Sequence, residues 1–383
     1  MTEIPGTIPV FLATWYRRSP YFEASWASGA KAADIYNNMI LPSYFDDPVN
    51  EYWQLVNHVA LWDVGVERQV EIEGPDGFDF TNYLTPRDLT TCKVGEGRYV
   101  VITDEKGGII NDPVLLRLGE NHFWLSASDS DLLLWAKGVA VNAGMDVEVR
   151  EPDVSPMQIQ GPKSKDVVGA LFGPKVRDLP YYHFLETSLD GIPVVVTRTG
   201  WSAEVGFEIY LRDGSRGPEL WHRGMDAGKP YHIRPTGPSD IRRIEAGILN
   251  YTSDMTLENN PYEVGLGWLV DDAKEADFIG KKALRKIKKD GVKRKLVGVE
   301  IHGSPLGSWL TEFWPVLASG RVIGKLTAGV HSPRLLKNIG YAMVPIEHAR
   351  LGTRLVVRAP SGDRDATVVK KPFFDPKKDV PKS

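Results

Sequence analysis

The chain has 383 residues, 42% of them hydrophobic and 25% charged, with a formal net charge of -4. This is the composition of a soluble protein of roughly two or three domains, and the acidic balance excludes a general electrostatic pull toward nucleic acid or an anionic membrane. The single cysteine, Cys92, excludes an intrachain disulfide, a multi-cysteine zinc site and an iron–sulfur cluster held by several thiolates.

The opening segment MTEIPGTIPVFLATWYRR lacks a basic stretch followed by a long apolar run, and no later window reaches membrane-spanning length. The expectation is cytoplasmic residence with no membrane partner. Further along, VEIEGPDGFDFTNYL (Val70 to Leu84) is echoed by MQIQGPKSKDVVGAL (Met157 to Leu171). Each copy reads as an alternating strand, a Gly-Pro corner and a helix, with proline where a first helical turn tolerates it. After the first copy come strand patterns VLLRL and HFWLSAS, a helix over about 129–142 and a strand VEVRE. After the second come PVVVTRT, FEIYL and a helix near 218–227. Residues 1–277 therefore read as two interleaved, related α+β subdomains that pack together, an arrangement that commonly holds a ligand between its halves.

Past Asp277 the texture changes. FIGKKALRKIKKDG places Phe278, Ala283, Leu284 and Ile287 at helical spacing, with a basic outer face and Gly291 as a stop. The basic run reads as a solvated linker helix, since no stacking aromatics interleave with it as they would in an RNA-binding segment. From Leu296 onward, short strands punctuated by glycine predict a small β-barrel or sandwich of roughly 90 residues. Residues 278–383 thus form a linker helix and a C-terminal β domain, with the tail DPKKDVPKS expected to be loose.

Several chemistries are absent from the pattern. The eight histidines are scattered with neither HxH nor HExxH spacing, so no metal site is expected. GxSxG, a P-loop and a GxGxxG after a strand are also missing. Three constellations remain. In DEKGGIINDPVLL, Gly107 and Gly108 allow a tight turn and Asn111 and Asp112 precede a strand, a pattern an ordinary hairpin also satisfies. In TRTGWSAEVGFEIYL, alternation puts Phe207, Ile209 and Leu211 on one face of a strand and Glu208 with Tyr210 on the other. A carboxylate so flanked needs a partner: either an arginine elsewhere in the fold, or a ligand with two adjacent N–H donors such as a pterin ring. In the stretch from Ile241 to Asp271, Ile244, Gly247 and Ile248 share a helical face, and the following Asp254, Glu258 and Glu263 read equally well as loop solvation.

In this order the three constellations, with PYEVGLGWLVDDAKEADFIGKKAL and GKLTAGVHSPRLLKNIGYAMV, resemble the glycine-cleavage T-protein family of tetrahydrofolate-dependent transferases. GGIINDP resembles that family's GGI-[ID]-D-D element, GWSAEVGFEI its GYTGEDGVEI, and RRIEAGI its LRLEAGM. The resemblance implies an α+β, three-domain cloverleaf with a C-terminal barrel. It makes Asp112 the catalytic aspartate and Glu208 the pterin-binding glutamate, with Tyr210, Tyr99 and Arg243 as further cofactor-binding candidates. RRSPYF, DVGVERQV, LTPRDL, GWS and NYTSDMTLENNPYE are closer to the family's dimethylsulfoniopropionate demethylase branch. Asn38 in YNNM and Val205 in VGFEIY depart from that branch, in segments expected to line the donor pocket.

A methyl transfer from sulfonium to a folate nitrogen is an in-line displacement with a neutral thioether as leaving group. The protein must supply alignment, water exclusion and a site for a desolvated cation. Trp201, Tyr36 and Tyr99 are candidates to offer aromatic faces to that cation, and Arg87 and Arg68 to bind the donor's carboxylate. The expected ligands are tetrahydrofolate and a small methyl donor, with no lipoyl carrier protein. Two alternatives remain: a sister transferase for an N-methyl, O-methyl or aminomethyl donor, and a non-catalytic folate-binding protein of the same fold. The latter is marked by KGCYxGQE, where this chain has NPYEVGLGW.

Overall fold

The computed structural model describes residues 13–307 and 309–383. Two antiparallel hairpin systems carry the first two thirds of the chain. One sheet has the strand order Glu148–Arg150, Gln69–Glu73, His122–Ser126, Val114–Gly119, Gly97–Tyr99. The other runs Phe184–Leu189, Ile192–Thr197, Gly206–Leu211, Ser155–Gln160, Ala60–Asp63, with the short Arg234–Pro235 added in parallel. Alternation decides what each face meets. Val70, Ile72, Phe123 and Leu125 turn inward under the helices Gly77–Leu84 and Leu132–Ala143. Met157, Ile159, Phe207 and Ile209 do the same under Ser164–Phe172 and Gly217–Gly228. The opposite faces meet one another: Leu116 and Trp124 of the first sheet cluster with Val195 and Tyr210 of the second. Glu208 and Tyr210 therefore lie on a face that is buried between sheets rather than solvated.

The repeated segments are both strand, corner and helix. Gly74 has φ +137° and Gly161 φ +121°, and a Cβ there would stand 2.5 Å from the Asp146 carbonyl or 2.6 Å from that of His58. Both conformation and space demand glycine at each corner.

The C-terminal domain is a closed barrel in the order Arg294–Ile301, Lys337–Pro345, Arg321–Ser332, Trp314–Ala318, Arg354–Ala359, Gly362–Val369. The last strand, GDRDATVV, is hard to read from sequence because its charged residues mask the alternation of buried Ala366 and Val368. The linker helix Lys281–Asp290 buries Leu284 and stops at Gly291, φ +79°. Its lysines face outward.

Three sequence expectations need correction. The helix carrying RRIE is only Asp240–Glu245; Gly247, φ +74°, ends it before Ile248 can share a face with Ile244. Asp254 is not loop solvation. It is buried, paired with Arg243 at 2.5 Å and accepting from Thr327 Oγ1 at 2.7 Å, and it ties this helix to the barrel. Nor is the tail loose. The Phe373 and Phe374 amides donate to the Glu245 carbonyl at 2.9 Å, Arg334 lies over the Phe374 ring at 4.1 Å, and Arg198 donates to the main-chain oxygens of Pro381 and Ser383. Composition alone suggested solvation, but the aromatic pair just ahead of DPKKDVPKS and the Arg198 contacts at its end anchor the tail by tertiary contacts. No helix among the described residues is long and apolar enough to cross a membrane.

Candidate active site

A cavity of about 670 Å³ opens between the two sheets and is closed on one side by the tail. Its size is that of a site for a cofactor-sized ligand. Tyr36, Tyr99, Asp112, Trp201 and Glu208 all border it.

Strand register builds the Glu208 environment. Gln158 is the cross-strand neighbour of Glu208 on one side and Thr197 on the other. Gln158 Nε2 donates to Glu208 Oε1 at 2.6 Å, while Tyr210 OH (3.0 Å), Thr199 Oγ1 and Thr197 Oγ1 (3.4 Å) donate to Oε2. Oε2 is saturated and Oε1 receives one donor, so an acceptor position remains on Oε1 for a ligand N–H. Burial pushes this carboxyl above its usual range, and the hydroxyl and amide donors pull it back. No arginine or lysine pairs with it among the described residues; the arginine partner considered from sequence is not supplied.

Asp112 sits between Ile109–Asn111 and Val114–Gly119, where Pro113 separates the two strands. Ser128 Oγ donates to its Oδ1 at 2.5 Å and Tyr99 OH to its Oδ2 at 2.8 Å. Asn111 holds the Ser128 loop through its amide, accepting from the Ser128 N–H at 3.1 Å and donating to the Ser128 carbonyl at 3.0 Å. Burial raises the Asp112 carboxyl to about 6, against the pull of the Ser128 and Tyr99 hydroxyls.

The YNNM segment forms a two-residue hairpin turn, Asn37 and Asn38 having φ of 51° and 58°. The Asn37 side chain donates to the carbonyls of Val66 and Ala127 at 3.0 and 3.2 Å, so Tyr36 is carried to the cavity. Asn38 is exposed at the turn and Val205 is buried beneath the sheet corner; neither borders the cavity, contrary to expectation. Trp201 follows the strand Ile192–Thr197 on a corner held by Gln160, which donates to the Thr199 and Phe207 carbonyls. Trp201 packs against the buried cluster of Leu55, Ala60, Trp62 and Val64, with the Arg243 guanidinium 5.6 Å from the ring centroid.

The remaining candidates are placed elsewhere. Tyr210 is fully buried beneath Glu208. Arg243 is committed to Asp240 and Asp254. Arg87 donates to the Tyr99 carbonyl at 2.6 Å and lies 5.6 Å from the Trp268 ring, outside the lining. Arg68 pairs with Glu151 in a separate cleft shared with Arg17. The cations that do line the cavity are Lys371 and Lys378 of the tail; burial lowers the Lys371 ammonium to about 8. Sequence reasoning missed these lysines: Lys378 lies in the segment read as loose, and Lys371 just ahead of it carries no local motif. It also missed Ser128, Gln158, Thr199 and Glu67, although Gln158 and Gln160 carried a signal: polar residues at alternate positions of a core strand. Glu71, Glu73 and His122 converge elsewhere, where Arg150 pairs with both carboxylates at 2.6 and 2.8 Å.

The GCVT N-terminal domain profile matches residues 21–274, and the glycine cleavage T-protein C-terminal barrel domain matches residues 294–375. The chain belongs to the glycine cleavage T-protein family. It is an enzyme, a tetrahydrofolate-dependent transferase of this family. It is 39% identical to dimethylsulfoniopropionate demethylase DmdA of Ruegeria pomeroyi, covering 94% of this chain and 98% of the relative. An aminomethyltransferase of Thermotoga neapolitana is 33% identical with the same coverage. The fold matches the crystal structure of the glycine cleavage system aminomethyltransferase T from Bartonella henselae, with a TM-score of 0.85 at 24% identity over 94% of this chain and 98% of that one.

Proposed function

We propose that this enzyme moves an intact methyl group from dimethylsulfoniopropionate to tetrahydrofolate, with neither a lipoyl carrier protein nor a redox cofactor. The observation that carries the reading is the charge inventory of the cavity. Six carboxyls, Asp34, Glu67, Asp112, Asp129, Glu208 and Asp240, border it with the aromatic side chains of Tyr36, Tyr99 and Trp201, against two lysines, and of the six only Asp240 is paired with a cation among the described residues. Such a site accommodates a ligand that brings N–H donors and a second that brings positive charge. The likeness to the Ruegeria pomeroyi demethylase supports a sulfonium as the second ligand.

The residues present fit a reduced folate. Glu208 would hold one pterin N–H through the open position on Oε1. Lys371 and Lys378, at the tail side of the cavity, suit a carboxylate-bearing arm. The folate supplies a ring nitrogen at position five whose lone pair forms the new N–C bond. As it forms, the C–S bond breaks and its electron pair stays on sulfur, leaving a neutral thioether. Asp112 would steady the positive charge growing on the nucleophile side and accept the nitrogen-bound proton. The sheets and the tail exclude water from the path.

The test uses dimethylsulfoniopropionate with both methyl groups fully deuterated, mixed with tetrahydrofolate and read by mass spectrometry of the folate. Displacement at carbon breaks no C–H bond, so 5-methyltetrahydrofolate should carry the intact trideuteromethyl group. Loss of a deuteron, or a methylene-folate product, would return the chain to aminomethyl transfer.

A further inference from the structure

Glu67 lies in the turn between the strands Ala60–Asp63 and Gln69–Glu73, and it borders the same cavity as Asp112, Glu208, Tyr36 and Trp201. Unlike Glu208, it is poorly satisfied. Its carboxylate accepts one side-chain hydrogen bond among the described residues, from Ser126 Oγ at 3.3 Å, and forms no ion pair there. Burial, with the negative charge of Glu208 behind it, pushes its carboxyl well above the usual range. Tyr36 borders the same cavity, so an aromatic ring and an unpaired carboxyl both line it.

We propose that Glu67 is the specificity-determining residue for a positively charged methyl donor, its carboxylate facing the cationic centre. The proposal deepens the methyl-transfer reading and rests on it. A sulfonium carries no N–H or O–H, so a protein recognises it only through charge and polarisable aromatic faces. A neutral donor of the same shape gains nothing from Glu67 and must displace water from a half-buried carboxyl. The pterin does not need this residue, because Glu208 and its donors already form an acceptor site.

The test is Glu67→Gln, which preserves shape and removes the carboxylate that a bound cation would hold ionised. Binding of trimethylsulfonium to the folate-free enzyme is measured by saturation-transfer NMR, with dissolved isobutane, of the same pyramidal shape and without a hydrogen-bond donor, as the neutral control, and tetrahydrofolate affinity by calorimetry. Sulfonium affinity should fall about tenfold or more, with isobutane and folate affinities within about twofold of the parent. Glu67→Asp, which keeps the charge but withdraws it by a methylene, should recover part of the preference for the cation. Unchanged sulfonium binding in a folded Glu67→Gln protein would overturn the assignment. So would a loss confined to folate, which would move Glu67 to the pterin site. Trimethylsulfonium lacks the propionate arm, so its binding reads Glu67 whichever donor is used. If the parent binds it but does not demethylate dimethylsulfoniopropionate, the donor identity falls and the role of Glu67 stands.

Discussion

Asp112→Asn should make the protein more stable at neutral pH while disabling it. Burial raises the Asp112 carboxyl from 3.8 to about 6. Between those values the folded protein holds a proton that the unfolded chain has released, so stability is lost as pH rises through this window. Each tenfold change in an ionisation constant is worth about 1.4 kcal/mol, so by pH 7.5 the buried carboxylate costs about 3 kcal/mol. Asparagine keeps the volume and cannot ionise, but it offers one oxygen to the Tyr99 and Ser128 hydroxyls, which now each bond a separate carboxylate oxygen. Weakening one of those bonds costs about 1 kcal/mol. The variant should therefore gain about 2 kcal/mol over the parent at pH 7.5, and that advantage should shrink or reverse toward pH 4.5. Urea unfolding followed by tryptophan fluorescence at the two pH values reads the difference. Turnover should fall by about 10²- to 10³-fold, and the acid limb expected near pH 6 in kcat/KM of the parent should be absent from the variant. A variant destabilised equally at both pH values would refute the reasoning, because Asp112 would then not carry a raised pKa into the folded state.

Glu208→Gln should weaken tetrahydrofolate binding by about 1 to 3 kcal/mol, since an amide in that place turns a donor toward Gln158 or the ligand; unchanged calorimetric affinity in a folded variant would remove Glu208 from the pterin site. Trp201→Leu keeps bulk but deletes the ring quadrupole, so KM for a sulfonium donor should rise about three- to tenfold with folate affinity unaffected. The opposite pattern would reassign Trp201 to the folate. Phe374→Ala removes the anchor between Arg334 and the tail, and folate should bind about tenfold more weakly as Lys371 and Lys378 lose their positions. Equal affinity, measured by calorimetry, would show that the tail does not complete the site.

The strands, the two Gly-Pro corners and the linker helix were legible because each is set by local spacing. A strand period of two, a helix period near 3.6, and glycines that must adopt positive φ act within a few residues. The same locality made Tyr36, Tyr99, Asp112, Trp201 and Glu208 visible as motif residues, and the structure brings all five to one cavity. Arg68 and Arg243 were equally conspicuous in sequence, yet Arg68 is paired with Glu151 outside the lining and Arg243 is held between Asp240 at the cavity edge and the buried Asp254. Whether a guanidinium is free depends on what the folded chain sets beside it, and Glu151 is far from Arg68 in sequence.

By itself the sequence determined the order of elements, the repeated corner and the family to which the chain belongs, since all three are written in residues near one another. Tertiary structure alone decided the electrostatics. Gln158 reaches Glu208 through strand register, Ser128 reaches Asp112 across a loop, and Lys371 arrives from the far end of the chain to border a cavity begun by Asp34. Burial and charge are sums over neighbours in space. A carboxyl such as Glu67 therefore reads in sequence as one more surface acid, and becomes an unpaired group in an aromatic cavity only when the two sheets and the tail close around it.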